Sequence, residues 1–485
     1  MDTVVARVLA YAESQPGALA LVADDRRLTY GELCRPIRAG AAWLAHKGVR
    51  PGEVAALALD GPPHAVNSIR AFYALAHLGA VILPLYADTA PARRRALMDL
   101  FGARWLLTRE PGEGPRIHPL AFDWESASGA GAPRGDAPGK PFLFHFSGGT
   151  TGAPKAVLFD HARFLANMLA GAREVGATGA DRLVSSRPWP HLPGLRYLLR
   201  IQALGGAFVN VAFPDTRQKL EDVIRDAGAT ILMASPWQLR RLLASPAPAG
   251  ARGPELNVLY IVGGLVSPEE IRAARETLTP NVYATYATSE AGLIAVLRPG
   301  DAPAPGNFGR LIAGMEGRVT DEQGRPAPPG TTGELSFRAP WFMDRYEGNE
   351  KATAERFREG WFHPGDLGTL DAQGRLTFRG RADDVINYGG AKIVPSDLEA
   401  VLAAHPDVAD VAVVGVPHPL AGAVPVALIV PRREGTADGL PAWCSDRLDA
   451  TERPAGFVRV PEIIRSADGK ILRGAMVEKY GIKAH

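Results

Sequence analysis

Nine consecutive residues, Ser147-Gly148-Gly149-Thr150-Thr151-Gly152-Ala153-Pro154-Lys155, combine three glycines, three hydroxyls and a lysine. That mixture suits an oxygen-rich anion. Glycines let backbone N–H groups come close, hydroxyls donate to the oxygens, and the lysine adds a point charge. The segment therefore reads as a phosphate cradle, with a glycine-rich turn between strands as the plain alternative. A nucleotide-binding P-loop would need Gly-Lys followed by Ser or Thr, with a helix opening at that point. Here Lys155 follows Pro154, and a second Gly-Lys, Gly469-Lys470, is followed by Ile471. Neither passes.

The flanking sequence says how the cradle is held. FLFHF, residues 142–146, reads as a strand, AVLF from Ala156 as a second strand, and only at Asp160 can a side chain cap a helix, ARFLANMLAGA. Elsewhere short apolar runs such as VAALALD, AVILPLY and RWLLTR alternate with amphipathic stretches such as YGELCRPIRAGAAWLAHKG. This predicts an α/β fold of mixed sheets covered by helices. Residues 126–140, rich in Gly, Ala and Pro, read as a surface connection. After residues 381–384 the pattern resets to a helix, VPSDLEAVLAAHP, and two strands, VADVAVVGVP and VPVALIVP. The expected domains are therefore 1–382 and 383–485, the second long enough to fold as a small unit.

Composition removes several classes of function. The 485 residues are 46% hydrophobic and 22% charged with a net charge of +2, an ordinary globular balance. No stripe of Lys and Arg tracks a nucleic acid, so none is expected as a partner. Cys34 and Cys444 cannot build a disulfide framework or a metal site, which fits a reducing compartment. Asp2, Arg7 and Glu13 interrupt the N-terminal apolar pattern, so it lacks the form of a signal peptide. No window approaches the roughly 18 apolar residues of a membrane span. A cytoplasmic protein with no membrane partner is expected.

SGGTTGAPK resembles the phosphate loop of the adenylate-forming superfamily of acyl-CoA synthetases, amino-acid adenylation domains and luciferases. Five more segments resemble that superfamily in the same order. They are Leu28-Thr29-Tyr30-Gly31-Glu32-Leu33, Tyr286-Ala287-Thr288-Ser289-Glu290, the run from Gly360-Trp361 to Gly365-Asp366, Gly380-Arg381-Ala382-Asp383-Asp384, and Gly469-Lys470-Ile471-Leu472-Arg473. The resemblance implies a large N-terminal domain and a small mobile α+β C-terminal domain. It also implies a reaction: a carboxylate and ATP give acyl-AMP and pyrophosphate, and a thiol then takes the acyl group.

Carried over residue by residue, Ser147, Gly148, Gly149, Thr150, Thr151, Gly152 and Lys155 would hold the β- and γ-phosphates of ATP. Glu290, with Ser289 beside it, would help bind Mg²⁺, a hard ion that suits one carboxylate plus phosphates and waters. Tyr286 would stack on adenine, while Asp366 would accept the ribose hydroxyls with Arg381 assisting. Lys470 would touch the carboxylate and the α-phosphate, and Asp383 would be the hinge on which the small domain turns. Gly389 and Gly390 would then give the pantetheine arm room.

Departures from the family pattern bear on the acid. Ala287 stands where most members have glycine and favours a compact acid. Leu192 follows His191 where amino-acid-activating members carry an aspartate, so an α-amino acid is disfavoured. Pro188-Trp189-Pro190-His191 resembles an element of acyl- and aryl-CoA ligases in which the histidine lines the route between thiol and acyl group. With Trp189, Trp237, Leu265, Ala284, Thr285 and Ala287, His191 would shape a pocket for an apolar or aromatic carboxylic acid. Coenzyme A ranks ahead of the phosphopantetheine of a separate carrier protein as acceptor. A luciferase-like oxidoreductase and a non-catalytic nucleotide-binding protein are the rival readings.

Overall fold

Strand Val54–Leu59, VAALAL, is buried from its second residue onward, a run that only a sheet covered on both faces can hide. It lies parallel to Val81–Tyr86 on one side and Trp105–Thr108 on the other. Outward from Val81–Tyr86 come Pro141–Phe146, parallel, and then Ala156–Asp160, antiparallel, which closes a six-stranded sheet. The computed structural model describes residues 3–482 apart from 110–116, 120–121, 125–126, 128–133, 147–154, 186, 188, 247–255, 322, 389–390, 419–420, 434–438, 450–452 and 466–470.

A second hydrogen-bonded path runs through the rest of the larger part. Arg182–Val184, Ala207–Val209, Ile231–Ala234, Val258–Ile261 and Val282–Thr288 are mutually parallel. At Gly292–Leu297 the chain doubles back antiparallel, and the path continues through Asn307–Leu311, Arg375–Arg381 and Asp366–Leu370. The third sheet is built from Ala391–Ile393, Ile386–Tyr388, Gly422–Pro431, Val408–His418 and Gly456–Arg459. Helix Pro395–Ala403 packs on it, and its side chains form cores of their own. Between the last large-sheet strand, Arg375–Arg381, and the first small-sheet strand lies only the 3-10 turn Ala382–Asp384 and Val385. Mixed sheets, covering helices and a small α+β part are the architecture expected from the pattern.

Local signals behave as their chemistry dictates. The amphipathic stretch from Tyr30 divides at Pro36 into helices Tyr30–Cys34 and Ile37–His46, because proline supplies no N–H for a continuous ladder. The Leu28–Leu33 motif has a structural use: Thr29 and Glu32 form a capping box, and the buried Tyr30 hydroxyl donates to the Gly206 carbonyl at 2.8 Å. Helix His161–Glu174 starts where predicted, with the Asp160 carboxylate accepting the Arg163 N–H at 2.8 Å. Among the described residues no helix is long and apolar enough to cross a membrane.

Two buried histidines, His145 and His161, have no hydrogen-bond partner at either ring nitrogen among the described residues. His161 stacks on Phe142 with 4.3 Å between ring centroids. Burial pushes its pKa down to about 4, against the opposing pull of the Asp136 and Asp160 charges. His145 is pushed down in the same direction by burial and by Arg196. The unfolded chain takes up these protons near the ordinary value of about 6.5. Stability is thus complete above that pH and drains as pH falls toward 4, the His161 share reaching about 3 kcal/mol. Denaturant unfolding between pH 7 and 4.5 is expected to show this slope, and His161→Phe, which keeps the ring but not the titration, is expected to reduce it to the His145 share.

Candidate active site

The hairpin formed by Val282–Thr288 and Gly292–Leu297 carries two candidate groups on one turn of chain. Tyr286 lies near the end of its first strand and Glu290 in the connection. The Tyr286 hydroxyl donates to Asp366 Oδ2, and Arg381 Nη1 meets Asp366 Oδ1 at 2.7 Å. Register explains the second contact, since Asp366 and Arg381 are direct cross-strand partners. The same Arg381 nitrogen also donates to the Pro364 carbonyl at 2.8 Å. Asp366 is only 5% exposed, and a buried carboxylate needs this degree of pairing. Each of its oxygens keeps a further lone pair with which to accept a ligand hydroxyl.

Tyr286 is 7% exposed and ringed by Phe308, Phe337 and Phe378 at 5.8 to 6.1 Å between centroids. Burial, and then the Asp366 charge, push its pKa well above the ordinary value, so it donates as a neutral phenol. An adenine platform needs an open ring face, and little of Tyr286 is open. The contact the structure adds is its grip on Asp366.

Glu290, half-buried, accepts a hydrogen bond from the Tyr346 hydroxyl at 2.6 Å on Oε1. Across the ring of the same tyrosine, Lys155 Nζ lies 5.9 Å from the centroid. Tyr346 thereby joins the expected cation of the phosphate loop to the expected metal carboxylate. Sequence reading passed over it, because an isolated tyrosine in WFMDRYEGNE carries no chemical pattern. Its loop is tied to the cradle's base by the Glu347 N–H, which donates to the Ala156 carbonyl at 2.8 Å. Beside it opens a groove of about 610 Å³ lined by residues 345–350 with Thr353 and Ala354.

The fit of a Mg²⁺ ion is decided at Glu290. Among the described residues no cluster of three or more His, Cys, Asp and Glu side chains can hold a metal, and Glu290 Oε2 accepts no hydrogen bond from a described residue. One oriented carboxylate with an available oxygen suits an ion that takes its other ligands from phosphates and water.

Lys155 follows the hairpin strand Pro141–Phe146, whose last residue pairs with Ala156, and a strand rather than a helix follows the lysine. Ser147, Gly148, Gly149, Thr150, Thr151, Gly152, Gly389, Gly390 and Lys470 lie outside the described residues. Asp383 is paired with Arg356 at 3.2 Å and Arg381 at 3.3 Å. The Ser289 carbonyl accepts from Arg196 at 2.9 Å.

The expected acyl-pocket residues divide. His191 opens helix Leu192–Ala203, its ring 5.7 Å from that of Tyr86. Trp237 and Leu265 stand out at 49% and 39% exposure, and Ala287 is half-buried. Trp189, by contrast, is sealed in the core: its ring edge meets Phe72, its indole N–H donates to the Asp60 carbonyl at 2.9 Å, and its backbone N–H donates to Asn210 at 2.7 Å. Ala284 is equally buried, and the Thr285 hydroxyl is taken by the Ile261 carbonyl at 2.8 Å. Polar groups of Trp189 and Thr285 already satisfied inside the core, and an Ala284 methyl closed off from solvent, offer a ligand little.

Residues 9–347 match the family described as AMP-binding enzyme, and residues 397–470 match the AMP-binding enzyme C-terminal domain. The chain is 28% identical to a fatty acid–[acyl-carrier-protein] ligase of Streptomyces coeruleorubidus, over 99% of this chain and 97% of the relative. It is 29% identical to a 2-succinylbenzoate–CoA ligase of Bacillus licheniformis, over 95% and 97% of the two chains. Among solved structures, the O-succinylbenzoate coenzyme A synthetase of Bacillus subtilis in complex with ATP and magnesium ion is similar with a TM-score of 0.83. The identity is 26%, covering 96% of this chain and 98% of that one.

The Tyr286–Asp366–Arg381 chain has a measurable cost when broken. Asp366→Ala leaves the buried Tyr286 hydroxyl without its acceptor and Arg381 with only Asp383 as counter-ion, and is expected to lower unfolding free energy by about 1 to 3 kcal/mol, whereas Tyr286→Phe loses one charge-assisted hydrogen bond, about 1.5 to 3 kcal/mol. Urea unfolding of both variants and their combination checks this, the double variant losing less than the sum.

Proposed function

The chain belongs to the AMP-binding enzymes, and we propose that within that family it is an acid–thiol ligase acting on an apolar or aromatic carboxylic acid. A carboxylate oxygen attacks the α-phosphorus of ATP, the bond to the bridging oxygen breaks, and pyrophosphate leaves. The thiol of coenzyme A then attacks the acyl carbon, loses its proton, and releases AMP. The observation that carries this reading is the pairing of two polar chains on one hairpin. Tyr286–Asp366–Arg381 suits a ribose, and Glu290–Tyr346–Lys155 suits a metal-bound polyphosphate.

Roles follow from chemistry at each end. Asp366 accepts the ribose hydroxyls and so fixes the sugar, while Tyr286 and Arg381 fix Asp366. Lys155, with the hydroxyls and N–H groups of residues 147–152, offsets charge on the leaving phosphates, where a fixed cation helps most. Glu290 would hold Mg²⁺, whose contribution is to neutralise the phosphate oxygens and align them for in-line displacement. Lys470 would be delivered to the α-phosphate by the small domain, and we place the domain boundary at residue 382. Asp383, on a turn of three residues between two sheets, is the hinge in this scheme. A short hinge absorbing a large dihedral change lets one site serve two half-reactions.

For the acid, His191, Tyr86, Ala287, Trp237 and Leu265 supply aromatic and aliphatic surface, and Leu192 supplies no counter-charge for an ammonium. Coenzyme A is preferred as acceptor on the Pro188-Trp189-Pro190-His191 element, as in the family's CoA ligases, with a carrier-protein phosphopantetheine as the alternative that one relative's name supports. Two free, buried cysteines suit the reducing cytoplasm in which we place the protein.

A panel of benzoates, short- and long-chain acids and amino acids in an ATP–pyrophosphate exchange assay is expected to single out an aromatic or apolar acid. Exchange with amino acids alone would defeat the pocket assignment. Mass spectrometry of the product is expected to find an acyl-CoA, and adenylation without that product would favour the carrier protein. Lys470→Ala is expected to abolish exchange while preformed acyl-AMP is still converted to thioester, and Asp383→Pro to do the reverse. Equal loss of both steps in both variants would end the domain-alternation scheme.

A further inference from the structure

Arg196 is a buried cation in contact with no described carboxylate. It projects from helix Leu192–Ala203 with 8% of its surface exposed, and its guanidinium lies over the rings of Phe159 and Phe164 at 5.7 and 5.8 Å. Removing a guanidinium from water without a counter-ion is costly, so a methionine or leucine would fill this space more cheaply. What the charge does here is visible in its donors. Nη1 donates to the Ser289 carbonyl at 2.9 Å and Nη2 to Asn167 Oδ1 at 2.7 Å. Asn167, on helix His161–Glu174, turns its own Nδ2 to the Ala291 carbonyl at 2.7 Å.

The residue between those two carbonyls is Glu290. Its backbone is therefore held on both sides by one network with Arg196 at its centre, and its carboxylate is held separately by Tyr346. The turn also presses against this network: Gly292 has φ of +72°, and a Cβ there would fall 2.3 Å from Asn167 Oδ1. Burial pushes the Arg196 pKa down to about 10, while the Glu290 charge opposes that shift, so the two groups feel each other's field and Arg196 stays charged at neutral pH.

We propose that Arg196 is a positioning residue for Glu290, fixing through the Ser289 carbonyl the direction of the Glu290 carboxylate and hence the affinity of the site for the Mg²⁺ form of the nucleotide. The proposal rests on the reading of Glu290 as the metal carboxylate. Lysine is a poor substitute, because only the planar fork reaches two acceptors on different elements at once.

The test is calorimetric binding of an ATP analogue with a methylene bridge between the α- and β-phosphates, measured with excess Mg²⁺ and with EDTA, on the full chain. In the parent, Mg²⁺ is expected to tighten binding, and Glu290→Gln to remove that gain. Arg196→Lys and Arg196→Met are expected to reduce the gain by about 10- to 100-fold, the range usual when a group supporting a metal ligand is lost. Affinity in EDTA is expected to change by less than about threefold, well under 1 kcal/mol. A folded Arg196→Lys protein with the full gain overturns the inference, as does equal weakening with and without Mg²⁺, which marks general damage. If Arg196→Met does not fold, Arg196→Lys decides. If Glu290→Gln keeps the gain, the metal reading of Glu290 falls and the inference with it. If Glu290→Gln loses the gain but the Arg196 variants keep it, the inference alone falls.

Discussion

The Asp366 carboxylate is almost closed off from water and yet, in the proposed scheme, must present itself to a ribose. Those two demands conflict, since a buried anion is tolerated only when its charge is answered nearby. The conflict is met by register. Asp366 and Arg381 face each other across adjacent antiparallel strands, so the cation arrives opposite the anion without any search by long side chains. Tyr286 supplies the remaining donor from a strand three places beyond that of Arg381 along the same path. Sheet pairing thus fixes three side chains to one another more rigidly than loops can.

The same sheet carries the other half of the site. Three residues separate Tyr286 from Glu290, and the Glu290 charge contributes to the upward shift of the Tyr286 phenol. Around Glu290 the supports come from elsewhere: Arg196 and Asn167 from two helices, Tyr346 from a loop bound to the strand that follows Lys155. Elements from the six-stranded sheet and from the longer path therefore converge on one carboxylate. A relative shift of the two sheets would be felt at Glu290 before it was felt at Asp366.

The small domain is tied to the turn Ala382–Asp384 by a third arginine. Arg473, three residues beyond Lys470, pairs with Asp384 at 3.2 Å and with Glu399, and donates to the Val413 carbonyl at 2.7 Å. A helix, a strand and the residue next to Asp383 are thereby gathered at one largely buried guanidinium.

The sequence by itself determined the kind of chemistry, the alternation of elements, and the reset of pattern after residue 384. Each of these is local: a glycine-rich cradle between strands, an aspartate able to cap a helix, apolar runs of strand length. Tyr286, Asp366, Arg381 and Asp383 were legible because they sit in short recurring motifs, and the structure brings them within hydrogen-bonding or ion-pair reach of one another. Tertiary structure alone decided what no local pattern encodes. Tyr346 joins Glu290 to Lys155, residues 56 and 191 positions away in sequence. Arg196 and Asn167 brace a turn about a hundred residues downstream. Trp189, which the family resemblance assigns to a pocket wall, is claimed by the core because its indole N–H meets the Asp60 carbonyl there. Long-range partners, and the satisfaction of buried polar atoms, are properties of packing, and packing is set by strand order and register rather than by any neighbour in the chain.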